Sequence, residues 1–505
     1  MSDSPPEIDV VVVGGGVSGL YAAWRLAEAD PNLNVRLYEQ SHRLGGRLRT
    51  LEVIGESAVE LGAIGVLEKH NLVMSLCDRL GLAFAADRSK GRGVISLRGR
   101  TVATRRVRRS WLRRPFAYEV PAHWQRRSFA SLVRGMAEMI LPGACMMDAA
   151  SWLRARRDAV FRGRPLNEWS LHEVLSQLLD AEHLDFFEAL SGAEYFTRNP
   201  SGAVDALRWL VGHFAGKRKV HRLAQGYESL PGRLASAFQR AGGRVHLGHR
   251  LTRINVGPVG LKLGLTFKVA GSVESVAARA VLLALPSMPA RIVLEDSGLL
   301  TAHPRLGDAL AAVRPWPVTT CALRYPSPWW RVRGVDGTSI ADLGVRQIWV
   351  YSDASTLVVA SDGATSEYWR SLAVSSQLDE QGFSVLAPNI PLVGEAHRQI
   401  ALTLATGVSE PLPSPIAAYF QDWGAPAFGG ALHFWLPGID QEEVRERLSQ
   451  PMPGVGLHLC GEAWSDDQGW VDGALRNVEM LLRTKFGLRR PEWLVAESRA
   501  MPEFG

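Results

Sequence analysis

The stretch from Ile8 to Glu39 constrains the fold more than any other part of the chain. Ile8 to Val13 reads IDVVVV, a β-branched run suited to a strand buried on both faces. It leads directly into Gly14, Gly16 and Gly19, spaced as G-x-G-x-x-G. Leu20, Ala23, Trp24 and Ala27 then recur at helical spacing, which predicts a helix from Val17 to Ala29. Val35 to Tyr38 reads as a second strand and ends at Glu39, twenty residues past Gly19. Strand, glycine turn, helix, strand and acid in this order predict a dinucleotide-binding unit. Gly14 would permit the tight turn, Gly16 would let backbone approach a pyrophosphate, and Gly19 would let helix and strand pack closely. The helix start at Val17 and Ser18 would offer unpaired N–H groups and partial positive charge to phosphate. Glu39 would accept hydrogen bonds from a ribose.

Composition narrows the class. The 505 residues, 46% hydrophobic and 21% charged, allow two to four domains and exclude a wholly disordered chain. No run approaches the ~18 apolar residues that cross a bilayer, and Met1 to Glu7 lacks the basic start and apolar stretch of a secretory signal. The four cysteines, Cys77, Cys145, Cys321 and Cys460, are scattered. Neither a disulfide framework nor a zinc site is expected, and a cytoplasmic location is. The net charge of +6 comes mostly from arginines, with a dense stretch between Arg98 and Arg127 that reads as a solvated surface. No nucleic-acid module accompanies it, so neither a nucleic acid nor a membrane is expected as partner. The histidines show no metal-ligand spacing and no serine sits in a G-x-S-x-G elbow, so metal and hydrolase chemistry are disfavoured.

The continuation past Glu39 is more specific. Gly45-Gly46-Arg47-Leu48-Arg49-Thr50 resembles the G-G-R-x-x-T signature of the flavin-containing amine oxidase superfamily. Val59-Glu60-Leu61-Gly62-Ala63 resembles the E-x-G-A segment that passes beside the isoalloxazine in that superfamily. Cys460-Gly461-Glu462-Ala463, followed by Gly469-Trp470-Val471-Asp472-Gly473-Ala474-Leu475, resembles its C-terminal signature, with Asp472 in place of the commoner Glu. The resemblance implies non-covalent FAD. Gly45, Gly46 and Arg47 would meet the diphosphate, Gly62, Ala63 and Ile64 would line the ring, and Leu251 would offer backbone groups to adenine. Gly461 and Glu462 would meet the ribityl or diphosphate region. Trp470, Val471 and Ala474 would face the flavin, with the following helix dipole favouring negative charge on the reduced ring.

The implied fold class is α/β, a Rossmann-like FAD-binding domain with a mixed α+β substrate domain. The expected FAD-binding domain is discontinuous, residues 7–70, 216–300 and 455–490. The expected substrate domain takes 71–215 and 301–454, its helical part at 100–215 and its sheet part at 301–454.

Several segments, among them Gln468-Gly469-Trp470 and His433-Phe434-Trp435-Leu436, are similar to bacterial L-amino acid oxidases. That resemblance implies oxidation of an amine or amino acid by hydride transfer to flavin N5, giving an imine and, with O2, H2O2. Trp470 would wall the substrate cage, with His433 and Trp435 beside it, and Tyr351 would reach a substrate carboxylate. The pattern departs from the family at two positions. Gly65 stands about where an arginine would pair with that carboxylate, and Thr320 stands where most members carry a lysine near N5. These departures keep open an alternative, a flavin dehydrogenase or desaturase tailoring an unusual amino-acid-derived substrate with weak oxygen reactivity. A homodimer is also left open.

Overall fold

Two sheets organise the chain. In the computed structural model, residues 8–494 are described apart from 53–55, 57, 86–90, 105–115, 199, 217–218, 258–261, 352–353, 375–376 and 406–410. The centre of the basic stretch, 105–115, and the polar start of the chain therefore lie outside the described residues.

The first sheet has seven strands, with Ile8–Val13 at its middle. Val35–Tyr38 and Ser272–Leu283 flank it in parallel, and Arg244–His246 and Leu457–Leu459 extend the parallel set. The first half of Ser272–Leu283 turns antiparallel against Leu263–Val269, which pairs in turn with His249–Val256. The unbroken valine run follows from this central place. Val10 and Val12 enter one core with the Val17–Ala29 and Val471–Phe486 helices, while Val11 and Val13 enter a second core on the other face. Each fully buried valine contributes about 1.5–3 kcal/mol, so a strand polar on one face would forfeit half of that gain.

The second sheet has eight strands in the order Phe383–Leu386, Ala417–Asp422, Val318–Arg324, Thr356–Asp362, Gln347–Val350, Ser339–Ala341, Val94–Leu97 and Arg100–Ala103. Of the last two, Arg100–Ala103 falls in the part expected to be helical and Val94–Leu97 just ahead of it. They join because Val94–Leu97 pairs in parallel with Ser339–Ala341 and hides Ile95 and Leu97 against the helical block. The 301–454 region, expected as the sheet part, also carries helices at Gly363–Leu372, Pro391–Leu404 and Gln441–Ser449.

A helical block stands beside this sheet. Its core gathers Leu132, Met136, Phe186, Phe187, Leu207 and Leu210. The stretch from Ser170 to Ser191 divides into the helices Leu171–Leu178 and Ala181–Ser191. Asp180 interrupts it by capping the second helix, its carboxylate accepting the His183 N–H at 2.9 Å. The Asn71–Arg79 helix, at the expected start of the substrate domain, instead packs Leu72, Val73, Leu76 and Cys77 into the core of the first sheet.

Candidate active site

A cavity of about 1060 Å³ lies where the first sheet, the helical block and the second sheet meet. Its lining divides by origin. One half comes from the glycine turns and helix ends of the first sheet, the other from side chains of the helical block and second sheet.

The first half is built from backbone. Gly14, at φ +107°, donates its N–H to the Tyr38 carbonyl at 2.8 Å and ends the strand. A Cβ there would sit 2.6 Å from the Ala284 carbonyl oxygen, and one on Gly19 would sit 2.0 Å from the Gly14 oxygen. Both glycines are required by the chain itself. Gly14, Gly16, Val17 and Ser18 line the cavity, and Gly19 supports them from behind. Gly45 and Gly46 close against this turn, Gly45 N–H reaching the Gly15 carbonyl at 2.9 Å. Gly62, Ala63, Ile64, Leu251, Gly461, Val471 and Ala474 complete the half. Trp470, Val471 and Ala474 place the start of the Val471–Phe486 helix at the cavity, so its positive end faces inward.

Three charged side chains of this half do more than the motifs implied. Glu39 lines the cavity, but its oxygens already accept the N–H groups of Gly15 at 2.6 Å and Ser41 at 2.9 Å. It fastens the turn. Glu462, expected at the ribityl or diphosphate region, is a staple. It accepts Arg47 Nη1 at 2.7 Å, His433 Nδ1 at 2.7 Å, and the N–H groups of Gly469 at 2.7 Å and His433 at 3.1 Å. Burial opposes its ionisation, yet Arg47 and His433 hold its carboxyl well below the ordinary carboxylate range. Arg47 thus joins the Gly45-Gly46 turn to the C-terminal segment.

The second half is aromatic. Tyr195, Trp209, Phe214, Trp349, Trp423 and Trp470 are among its walls. Thr320 lines it too, with its hydroxyl donated to the Leu61 carbonyl at 2.8 Å. The Trp423 indole N–H reaches the same carbonyl at 2.9 Å. Asp362 is the buried acid of this half. It accepts the N–H groups of Glu194 at 2.9 Å and Tyr195 at 2.8 Å and the Trp316 indole N–H at 3.0 Å, while burial pushes its carboxyl up to about 6. Among the described lining residues Arg47 and Arg250 are the only Lys or Arg, and both belong to the first half. Gly65 is crossed so closely that a Cβ would sit 2.6 Å from a Val220 methyl and 2.8 Å from the His221 carbonyl oxygen. An arginine at that position has no room while Val220 pairs with Leu67.

Three expected substrate-side residues do not line this cavity. Tyr351 is buried with its hydroxyl between the N–H (3.1 Å) and carbonyl (3.4 Å) of Glu60, a pairing that uses the group expected to reach a carboxylate. His433 is wholly buried; its Nδ1–H serves Glu462, and its Nε2 faces the Ser287 N–H at 3.5 Å. Trp435 gives its indole N–H to the Ser465 carbonyl at 2.9 Å and faces a second cavity of about 640 Å³. Leu432, from the same strand, takes the cavity-facing place. The residues sequence reasoning passed over are Asp362, Tyr195, Trp209, His213 and Phe214. Trp209 and His213 stand four apart on the Ala203–Phe214 helix and so share a face, the one local signal that could have marked them.

The family description "Flavin containing amine oxidoreductase" matches residues 17–477. The chain belongs to that family. Achacin of Lissachatina fulica is 24% identical over 508 residues, covering 95% of this chain and 93% of its own. Flavin-containing amine oxidase A of Bos taurus is 41% identical over 81 residues, 16% of this chain and 15% of its own. A structure of putrescine oxidase bound to putrescine superposes with a TM-score of 0.69 at 21% identity, covering 96% of this chain and all of that one. Cyclohexylamine oxidase from Brevibacterium oxydans gives 0.65 at 19%, covering 94% and 98%. The putrescine oxidase and cyclohexylamine oxidase structures share the α/β fold described here. Among the described residues, no helix of this family member is long and apolar enough to cross a membrane.

Proposed function

We propose that this flavin-family protein binds FAD in the first half of the cavity and oxidises small amines that lack a carboxylate in the second. Gly16 carries the cofactor reading. Its φ of −74° suits any residue, and a Cβ there would meet nothing within 4 Å. The fold makes no demand for glycine at Gly16, whereas a pyrophosphate laid over the turn does. The span from Leu251 to Val471 across one cavity suits a dinucleotide, with Gly45, Gly46 and Arg47 beside its phosphates.

When bound, the flavin supplies the two-electron acceptor for oxidising the C–N bond. The chain's own residues do the rest. The first turn at Val471 directs N–H groups and positive dipole to the cavity, where negative charge on the ring is stabilised. Trp470, Trp209 and Tyr195 exclude water and hold an apolar substrate body against that face. With no Lys or Arg among the described residues lining the substrate half and Gly65 obstructed, a buried α-carboxylate would find no such cation among them. An uncharged amine needs none.

Anaerobic stopped-flow tests this. Primary amines are expected to bleach the flavin faster than L-amino acids of matched side chain. Rapid bleaching by ordinary L-amino acids would overturn the substrate class. Admission of air then separates an oxidase, which reoxidises quickly and releases peroxide, from a dehydrogenase. Thr320, tied to Leu61 at a position without a lysine, favours the slower reoxidation.

A further inference from the structure

Two buried imidazole nitrogens near the wall between the cavities have no hydrogen-bond partner among the described residues, His70 Nε2 and His213 Nε2. Both stand beside Asp467, the first 3.8 Å from Oδ2 and the second 3.1 Å from Oδ1. All three residues are more than nine-tenths buried, and one ligand atom from each lies within 4.8 Å of the others.

The ring hydrogens decide what fits between them. His213 Nδ1 lies 2.8 Å from the Trp209 carbonyl oxygen, which can only accept. The hydrogen of the neutral ring therefore sits on Nδ1, and Nε2 carries the lone pair. That lone pair stands 3.1 Å from a carboxylate oxygen, with no hydrogen bond between them. Two buried electron-rich atoms this close call for a cation. A shared proton does not serve, because the contact is not aligned for a hydrogen bond. An ion at a point faced by both atoms does. With bonds of about 2.0–2.2 Å, tetrahedral ligands lie roughly 3.3–3.6 Å apart, near the separation found. The bond from Nδ1–H to the Trp209 carbonyl is the outer contact that orients a metal-bound imidazole. Burial draws both imidazoles toward the neutral, metal-binding form, His70 down to about 3.

His70 is the ligand that adjusts. Its Nδ1 accepts the Leu67 N–H at 3.3 Å, and with that contact made the ring hydrogen sits on Nε2. Binding moves the hydrogen to Nδ1 and gives up the Leu67 bond, which is long for its kind. One weak bond is a small loss against coordination by two imidazoles and a carboxylate. His213 and Asp467 also line the second cavity, which supplies an entry path and room for a water as fourth ligand. Lys69 lines that cavity too, and Glu68 and Asp472 offset its charge there.

We propose that His70, His213 and Asp467 form a binding site for a divalent transition metal such as zinc or iron(II). His70 caps the start of the Asn71–Arg79 helix, His213 stands near the end of Ala203–Phe214, and Asp467 lies three residues before Trp470. An ion there joins three remote stretches of chain. It also fixes the Trp470 ring. His213 lies flat on that indole, centroids 4.9 Å apart and planes within 8°, and His70 meets it edge-on at 4.8 Å. The expectation of no zinc site rested on sequence spacing, and residues this far apart have no spacing to show. The metal site does not rest on the flavin or amine reading.

The test measures metal in full-length, tag-free protein from cultures supplemented with zinc or iron, after dialysis against metal-free buffer. About one metal ion per chain is expected by mass spectrometry. It should fall about tenfold or more in His213→Phe, which keeps a ring on Trp470, and in Asp467→Asn, which keeps the shape of the acid. His183→Ala, at the surface His183–Asp180 pair, should keep its metal. X-ray absorption at the metal edge should show imidazole nitrogen and oxygen ligands without sulfur. Excess zinc should raise the Tm of chelator-treated wild type and leave both site variants unmoved. A wild type with no metal and no Tm response, a sulfur ligand, metal retained in full by Asp467→Asn, or metal lost in His183→Ala would each overturn the proposal. If neither site variant folds, the wild-type metal content and absorption edge decide it.

Discussion

The two halves of the cavity are made by different means. The first is backbone: Gly14, Gly16, Gly45 and Gly46 bring peptide groups to the surface, and helix starts at Val17 and Val471 add N–H groups and dipole. The second is side chain: rings from the Ala203–Phe214 helix, the Glu194–Phe196 turn and the second sheet converge from far apart in the chain. A backbone site tolerates little change at a glycine and much change elsewhere. A side-chain site can be retuned residue by residue.

The sharpest way to break this contrast is at the glycines. Gly16→Val should abolish bound flavin absorbance while leaving circular dichroism and Tm nearly unchanged, since its side chain enters open space. Gly19→Ala should do the reverse damage. Its Cβ would meet the Gly14 oxygen at 2.0 Å, and soluble yield and Tm should fall with flavin lost only as a consequence. A large Tm loss in Gly16→Val would erase the distinction between a glycine kept for ligand and one kept for fold.

The next effect falls on the staple between the halves. Arg47→Met leaves the Glu462 carboxylate buried with His433 as its remaining ionisable partner, and should cost roughly 3 kcal/mol in denaturant unfolding. The folded-state pKa of Glu462 is depressed, so its contribution is full above the ordinary carboxylate value and is lost as pH falls. The variant should therefore lose much of the wild type's acid-side stability change. A stability loss that is the same at every pH would point to lost packing alone.

Within the substrate half, Trp209→Ala should raise the amine KM more than it lowers the reduction rate constant, by about tenfold or less. It removes a wall and leaves the turns of the other half in place. An unchanged KM would remove Trp209 from the substrate's surroundings.

The last effect, spread over a pH range, is a slope in stability. Burial raises the Glu60 carboxyl from an ordinary 4.5 to about 7, although Tyr227 N–H and Thr50 hydroxyl bonds favour its charge. The folded state then holds this proton more tightly than the unfolded one. Stability should fall as pH rises from about 4.5 to about 7, by up to roughly 3 kcal/mol. Glu60→Gln should flatten that slope in Tm against pH. A steeper slope in the variant would contradict the assigned burial.

Much of the first half was legible because each of its parts is local. The IDVVVV run, the turn at Gly14 and the helix at Val17–Ala29 are decided over a few residues, and the helix stands where its spacing placed it. The two turns around Gly45 and Gly469 are likewise contained within short segments. Glu462 shows where this stops. It lines the cavity, but Arg47 and His433, which give three of its four hydrogen bonds, come from segments that meet it only in the folded chain.

The substrate half illustrates the other limit. Tyr351, His433 and Trp435 have residue types suited to a site, and each turns its polar atom to Glu60, Glu462 or Ser465 instead. A strand alternates its faces, so a one-residue choice puts Leu432 rather than His433 against the cavity. Which face wins depends on what packs from the rest of the chain. The amino-acid order thus determined the family and the strand, glycine turn and helix of the first half, because short-range backbone geometry encodes these. Which rings wall the substrate, that Val220 crosses Gly65, and that His213 meets both Asp467 and Trp470 were decided by tertiary packing. Those contacts join residues with no local rule to relate them.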